Sequence, residues 1–315
     1  MRACYFVQSH RDPAQVVRLV ATIRRSSPTA YVLVGHDCRR CELTRRDLPQ
    51  SADIDLFHPP GPIERGRLSL LSPYFLAVDR LLASGVDFDW LVYLSGQDYP
   101  TRSLGRAEAS LRASGADGFL RFWPAFAPDN PWGRRRQGVF RYGFQYAEAP
   151  RWAGWLLRRL RFVNRLQSSV HLHLVYGHLV GRRARRTPFG PDRTCYAGTQ
   201  WTTLRRPCVE YLARVRRESP ALVAYYERTI CSDESLVQTL LVNARRFDLR
   251  DDDLRFADFH GSRSGSPRIL TAADFERLRS GPWHFARKFD PAVDTAILDR
   301  LDEWLTVGGE AGSGA

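Results

Sequence analysis

Hydrophobic and polar positions along the first 125 residues switch back and forth between two periods. Short apolar runs predict strands at ACYFVQS (3–9), YVLVGHD (31–37), IDLF (54–57), WLVYLSGQD (90–98) and DGFLRFW (117–123). PAQVVRLVATIRR (13–25), with Pro13 at its start, and SLLSPYFLAVDRLLAS (69–84) carry apolar residues at helical spacing. Strand and helix in alternation predict an α/β fold, a parallel sheet covered by helices on both faces. From 126 to about 190 the pattern loosens into Pro, Gly, Arg and aromatic residues. Order returns with helices expected at PCVEYLARVRR (207–217), at CSDESLVQTLLVNAR (231–245), capped by Ser232, and at PAVDTAILDRLDEWL (291–305). A Gly-rich tail, 307–315, is expected to be disordered.

Composition narrows the class. A chain of 315 residues, 43% hydrophobic, can bury a sizeable core. No window reaches the roughly 18 apolar residues of a membrane span, and MRACYFVQSHRD has polar groups where a signal peptide's apolar core would sit, so the expected address is the cytoplasm. The six cysteines are then read as reduced thiols, and Cys38 and Cys41 form a CxxC with no second pair at zinc spacing. The net charge of +13 suits an anionic ligand or surface. Lys288 is the only lysine among 47 basic residues, a bias expected of a GC-rich genome, which weakens any argument from arginine count alone. GRRRQ (133–137) and RRARR (182–186) raise a nucleic-acid-binding alternative, but no zinc-finger or RNA-binding signature accompanies them, and no nucleic-acid partner is expected.

In an open parallel sheet ligands lie beyond the carboxyl ends of the strands, which draws attention to QSHRD (8–12), GHD (35–37) and SGQDYPT (95–101). Asp233 and Glu234, placed in a first helical turn by the Ser232 cap, are either capping carboxylates or, for Glu234, a general base facing a cleft. FARKFD (285–290) sets two adjacent cations between Phe285 and Phe289, the spacing of an anion clamp or of a solvated basic pair between core aromatics. RWAGWLLRRLRFVNRL (151–166) reads as a cationic surface helix or as one that lies on an anionic membrane or covers an acceptor groove. HLHLVYGH (171–178) has three histidines but no nearby Asp, Glu or Cys to complete a metal site. DFD (87–89) and DID (53–55) are the candidate metal-binding DxD motifs.

Taken together, LSGQDYPT, AGTQWTTLRR, SDESLVQTLLVN and HFARKFD, in this order, resemble glycosyltransferase family 14. That family holds the core-2 and I-branching β-1,6-N-acetylglucosaminyltransferases, the peptide O-xylosyltransferases and many bacterial relatives. The resemblance implies a GT-A fold, with a mixed, mostly parallel central sheet and helices on both faces. It implies a single domain over 1–306: a nucleotide-binding half (about 1–125), a variable acceptor region (about 126–190) and a catalytic half (about 191–306). It further implies a UDP-sugar donor, inversion at the anomeric carbon and no metal. Matched by motif, Glu234 becomes the general base, and Arg287 and Lys288 the clamp on the leaving diphosphate. Asp37 matches a uridine-binding aspartate, with Val7, Gly96, Gln97 and Asp98 lining the nucleotide pocket. Gln200 and Trp201 should lie near the donor sugar or acceptor, and Arg268 near the phosphates. N-acetylglucosamine is the expected sugar, with xylose or another hexose open; the xylosyltransferases carry an acidic residue at the Gln200 position, which argues against xylose. The acceptor is expected to be a hydroxyl of a glycan, glycolipid or small molecule. The chain looks like a bacterial member, with optional peripheral contact to the inner face of the membrane through 151–166.

Overall fold

Every residue of Ala3–Ser9 (β1) except Gln8 is buried, as expected of a strand covered on both sides. Side chains alternate along it. Cys4 and Phe6 join Leu33, Leu91, Tyr93 and the helix Ser72–Ala83 in one core, while Tyr5 and Val7 join Val32, Val92, Leu94 and the helix Pro13–Ser26 in another. A computed structural model of the chain describes residues 1–132, 136–166, 169–260 and 265–310.

The remaining strands, in chain order, are β2 (Tyr31–His36), β3 (Ile54–Phe57), β4 (Trp90–Ser95), β5 (Asp98–Pro100), β6 (Gly118–Pro124), β7 (Phe144–Glu148), β8 (Val170–His173), β9 (Leu179–Arg183), β10 (Tyr196–Arg205), β11 (Leu249–Asp251), β12 (Arg255–Ala257) and β13 (Phe285–Arg287). Seven form the central sheet in the order β11-β6-β10-β4-β1-β2-β3. All its neighbours are parallel except on either side of β10, which runs antiparallel to both β4 and β6. The sheet is therefore mixed and mostly parallel, with helices around it, consistent with the GT-A-like class expected. Two small sheets complete the fold, β12-β13-β5 and β7-β9-β8.

Four boundaries differ from the sequence reading. The run 90–98 is two strands in two sheets, because the chain turns at Gly96–Gln97, where Gly96 N donates to Gln8 O. The segment 151–166 is not one helix but short helical pieces, Arg151–Ala153, Gly154–Arg159, Leu160–Phe162 and Val163–Leu166. The helix expected over 231–245 is a single tight turn, Ser232–Glu234, followed by Leu236–Val242. The last helix begins at Ala296, where Asp294 accepts from Ile297 N, and runs to Glu310, so residues 307–310 are helical. Residues 311–315 of the expected tail, and 133–135 of the GRRRQ cluster, lie outside the described residues. Among the described residues no helix is long and apolar enough to cross a membrane.

Candidate active site

The β12-β13-β5 sheet joins two motifs far apart in sequence. β13 pairs antiparallel with β5, which sets Arg287 of FARKFD opposite Asp98 of SGQD. Asp98 is fully buried, and its carboxylate lies 3.5 Å from Arg255 Nε and 3.6 Å from Arg287 Nε. One carboxylate thus faces two guanidinium groups, and burial pushes both arginines below their ordinary range. Both stack on Trp201, with guanidinium carbons 4.1 Å (Arg287) and 5.1 Å (Arg255) from the ring centroid. Next along the chain, Lys288 is half-buried and pushed down from its ordinary value, first by burial and then by Arg11, Arg287 and Arg65. Among the described residues no carboxylate lies within ion-pair reach of its ammonium.

Trp201 reaches this position through an irregularity in β10. The pairing register with β6 shifts between Gly198 and Thr202, so Thr199, Gln200 and Trp201 leave the ladder. Gly198 is needed there: a Cβ on it would lie 1.8 Å from Arg121 O. Gln200 Nε2 donates to Tyr93 Oη (2.5 Å), and Tyr93 Oη in turn donates to Gln8 Oε1, which ties the bulge to the end of β1. Thr199 Oγ1 donates to Asp253 Oδ2 at 2.8 Å, and burial raises that carboxyl above the usual carboxylate range.

Glu234 sits in the Ser232–Glu234 turn. The turn starts at Cys231 in a left-handed conformation (φ 54°), unusual outside glycine, and is held on several sides. Cys231 N donates to Gly66 O (2.9 Å), Tyr142 Oη donates to Cys231 O (3.0 Å), and Ser235 Oγ donates to Tyr196 O (2.6 Å). Ser232 is not a helix cap: its hydroxyl donates to Tyr226 O at 2.7 Å. The helix-terminus argument for Glu234 therefore gives way to a different one. Arg141, from the helical turn before β7, pairs with the Glu234 carboxylate and stacks over Trp132 at 4.5 Å. Asp233 is buried beside it with Oδ1 unpartnered, and burial together with the Glu234 charge pushes its carboxyl up.

These groups converge. A cleft of about 860 Å³ is lined by Glu234, Asp233, Arg141, Trp132 and Trp123, and also by Gln200, Trp201, Arg255 and Arg287. Of the residues expected from the sequence, Glu234, Gln200, Trp201 and Arg287 line it, and Lys288 follows Arg287 directly. The others lie off its lining. Val7 is fully buried in β1, and Asp37 at the end of β2 is bound by Arg39, whose hydrogen bonds hold the carboxyl below its ordinary value. A Cβ on Gly96 would crowd Val16 and Ser9, so that glycine serves packing, and Gln97 exchanges hydrogen bonds with the backbone of Phe289. Asp98 supports the arginines from beneath. Arg268 is engaged by Asp258 and Asp274. The DFD and DID carboxylates are off the lining too: Asp53 pairs with Arg2, Asp55 with Arg80 and Asp87 with Arg206, while Asp89 accepts from Arg2 N. His171 and His173 are packed among aromatics, and burial lowers both to about 4. The sequence reading missed Arg141, which lies in the stretch without periodicity, and Arg255, which follows the acidic run DDDL with no motif around it.

No family model matches the chain. It is similar to beta-glucuronosyltransferase GlcAT14B of Arabidopsis thaliana, 33% identical over 113 residues, covering 35% of this chain and 26% of that protein. Beta-glucuronosyltransferase GlcAT14A of the same plant is 25% identical over 240 residues, 73% of this chain and 47% of its own length. Xylosyltransferase 2 of Rattus norvegicus is 27% identical over 257 residues, 75% of this chain and 26% of its own length. The chain thus spans between about a quarter and a half of the length of the curated relatives it matches. Each of these relatives is named as a glycosyltransferase, and the resemblance to family 14 seen in the four motifs gains support at low identity.

Proposed function

We propose that the chain is an inverting glycosyltransferase that moves a sugar from a UDP-sugar to an acceptor hydroxyl without a metal ion. The observation that carries this reading is the meeting of two unlike charge clusters on one cleft: Glu234 with Arg141, and Arg287 with Lys288 close by. A displacement at the anomeric carbon needs both. The acceptor O–H gives its proton to the Glu234 carboxylate as its oxygen bonds to C1, and the C1–O bond to UDP breaks with its electron pair left on the diphosphate. Arg287 and Lys288 balance the charge that gathers there, where an uncompensated cation cluster already suits an anion. Trp123 and Trp132, edge to face at 5.5 Å on the cleft lining, offer apolar surfaces for a sugar ring or other acceptor.

The relatives' names speak of glucuronosyl and xylosyl transfer and lend no support to the β-1,6-N-acetylglucosaminyl expectation. The donor is therefore best tested across UDP-glucuronate, UDP-xylose and UDP-N-acetylglucosamine. Calorimetric titration of UDP with and without chelator, paired with a transfer assay, tests the whole reading. Glu234→Gln should lower turnover at least about 100-fold while UDP affinity holds. Lys288→Ala should weaken UDP binding and raise the barrier by about 2–4 kcal/mol. A Glu234→Gln enzyme with most of its turnover removes the base, an unchanged UDP titration for Lys288→Ala removes the clamp, and activity lost to chelator and restored by manganese removes metal independence.

A further inference from the structure

From residue 149 to residue 191 the chain contains nine arginines and no Asp or Glu. All nine are exposed, and among the described residues none of them forms an ion pair, although arginines elsewhere pair repeatedly with carboxylates. The broken helical segment 151–166 belongs to this stretch and is fixed in orientation. Asn164 Nδ2 donates to Leu172 O (2.9 Å), and Leu172 N donates back to Asn164 Oδ1 (2.7 Å), which fastens the segment to β8. Ala153, Gly154 and Leu157 pack inward, and Gly154 rests against the His178 ring, where a Cβ would come within 2.3 Å.

That packing turns a second face outward. Trp152, Trp155, Leu156 and Arg159 stand at helical spacing on it, with Trp152 80% and Trp155 62% exposed, and Phe162 follows at 54%. Arg159 stacks on Trp155 at 4.4 Å, so cation and indole present one composite surface. Exposed indoles carried on a fixed backbone and set among unneutralised guanidinium groups match the interface of an anionic bilayer: indoles favour the headgroup level, and arginines meet lipid phosphates. We propose that this face docks the chain on an anionic membrane surface, with Trp152, Trp155, Leu156 and Phe162 entering the headgroup boundary and the arginines of 151–165 and 182–186 contacting lipid phosphate. A nucleic-acid groove would explain the arginines but not four large apolar side chains exposed along one short segment.

The same small sheet also reaches the cleft, through Tyr176 in the turn between β8 and β9, which lines it. A lipid-anchored molecule held at the docked surface would therefore be presented near the cleft. The docking itself does not depend on glycosyl transfer and is read without turnover. The full chain should co-sediment with vesicles of equal phosphatidylcholine and phosphatidylglycerol at low ionic strength, and much less with phosphatidylcholine alone. Trp152→Ser with Trp155→Ser should lower the partition coefficient about tenfold or more, with the thermal midpoint and UDP titration unchanged. Arg158→Gln with Arg159→Gln should weaken binding and flatten its salt dependence. No sedimentation with the anionic vesicles, or sedimentation that survives both double variants, overturns the proposal. So does tight binding of a DNA probe that the vesicles fail to compete away.

Discussion

Two charge clusters line the same cleft and are built in opposite ways. Around Glu234 two adjacent acidic groups differ in their surroundings: the Glu234 carboxylate is paired with Arg141, while Asp233 is buried, pushed up by burial and by the Glu234 charge and only partly offset by Arg141 and Arg65. Around Asp98 one buried carboxylate faces two arginines, with Lys288 beyond them. The first keeps an acidic pair at the cleft, one member in an ion pair and one raised, and the second gathers cations, Arg255, Arg287 and Lys288, about a buried carboxylate. These groups are what each can offer a reacting molecule, a proton acceptor on one side and an anion partner on the other.

The largest test removes the shared counter-charge. Asp98→Ala takes from the buried Arg255 and Arg287 the carboxylate that lies against both, leaving Asp253 as the remaining counter-charge, and should cost about 3–5 kcal/mol of unfolding free energy in denaturant titration. A loss below about 1 kcal/mol would mean that solvent or other groups already carry those charges. Arg141→Met comes next. It releases Glu234 from its partner and should lower turnover about 10–100-fold with UDP affinity unchanged, and Arg141→Lys should restore part of the loss. Equal loss in the lysine and methionine variants would show that shape, not charge, is what Arg141 supplies.

The smallest test reads Asp233. Its carboxyl is held above its unfolded value of about 3.9, so the folded state binds more protons than the unfolded chain once pH rises past that value. Stability from this group is therefore present in acid and lost as pH climbs toward the raised folded value. Asp233→Asn removes the titration, and its stability relative to the parent should improve steadily as pH rises from about 4 toward neutral. A pH-independent difference in thermal midpoint would show that Asp233 does not titrate in this range.

Much of the sheet was legible because β1 to β4 and β6 are apolar runs with helices at the right spacing between them, and the observed strands fall on those runs. The smaller elements were not. β5, β12 and β13 are three residues each, too short for a period to register, and β5 and β13 pair only when segments more than half the chain apart come together, Arg287 opposite Asp98. The Ser232 cap was misread because SDES fits a capping pattern, whereas the hydroxyl is claimed by Tyr226 O, a tertiary partner that local sequence does not reveal. In the cleft, Glu234, Gln200, Trp201 and Arg287 were found through motifs. Arg141 and Arg255 carry no motif and become visible only when folding sets them beside a carboxylate or a tryptophan.

One consequence of the β6–β10 pairing concerns modularity. Pro124 stands opposite Tyr196, and Ala125 N bonds Cys195 O at 2.8 Å, so the excursion from 126 to 194 leaves and rejoins the sheet at one place. Its two ends are already spliced together by the strands that flank it. A lobe inserted in this way can change in length at its far end without altering the β6–β10 pairing at its base. Any such change must keep the groups by which the lobe holds the Glu234 turn, above all a cation in the place of Arg141, which pairs with Glu234, and a hydroxyl in the place of Tyr142, which donates to Cys231 O.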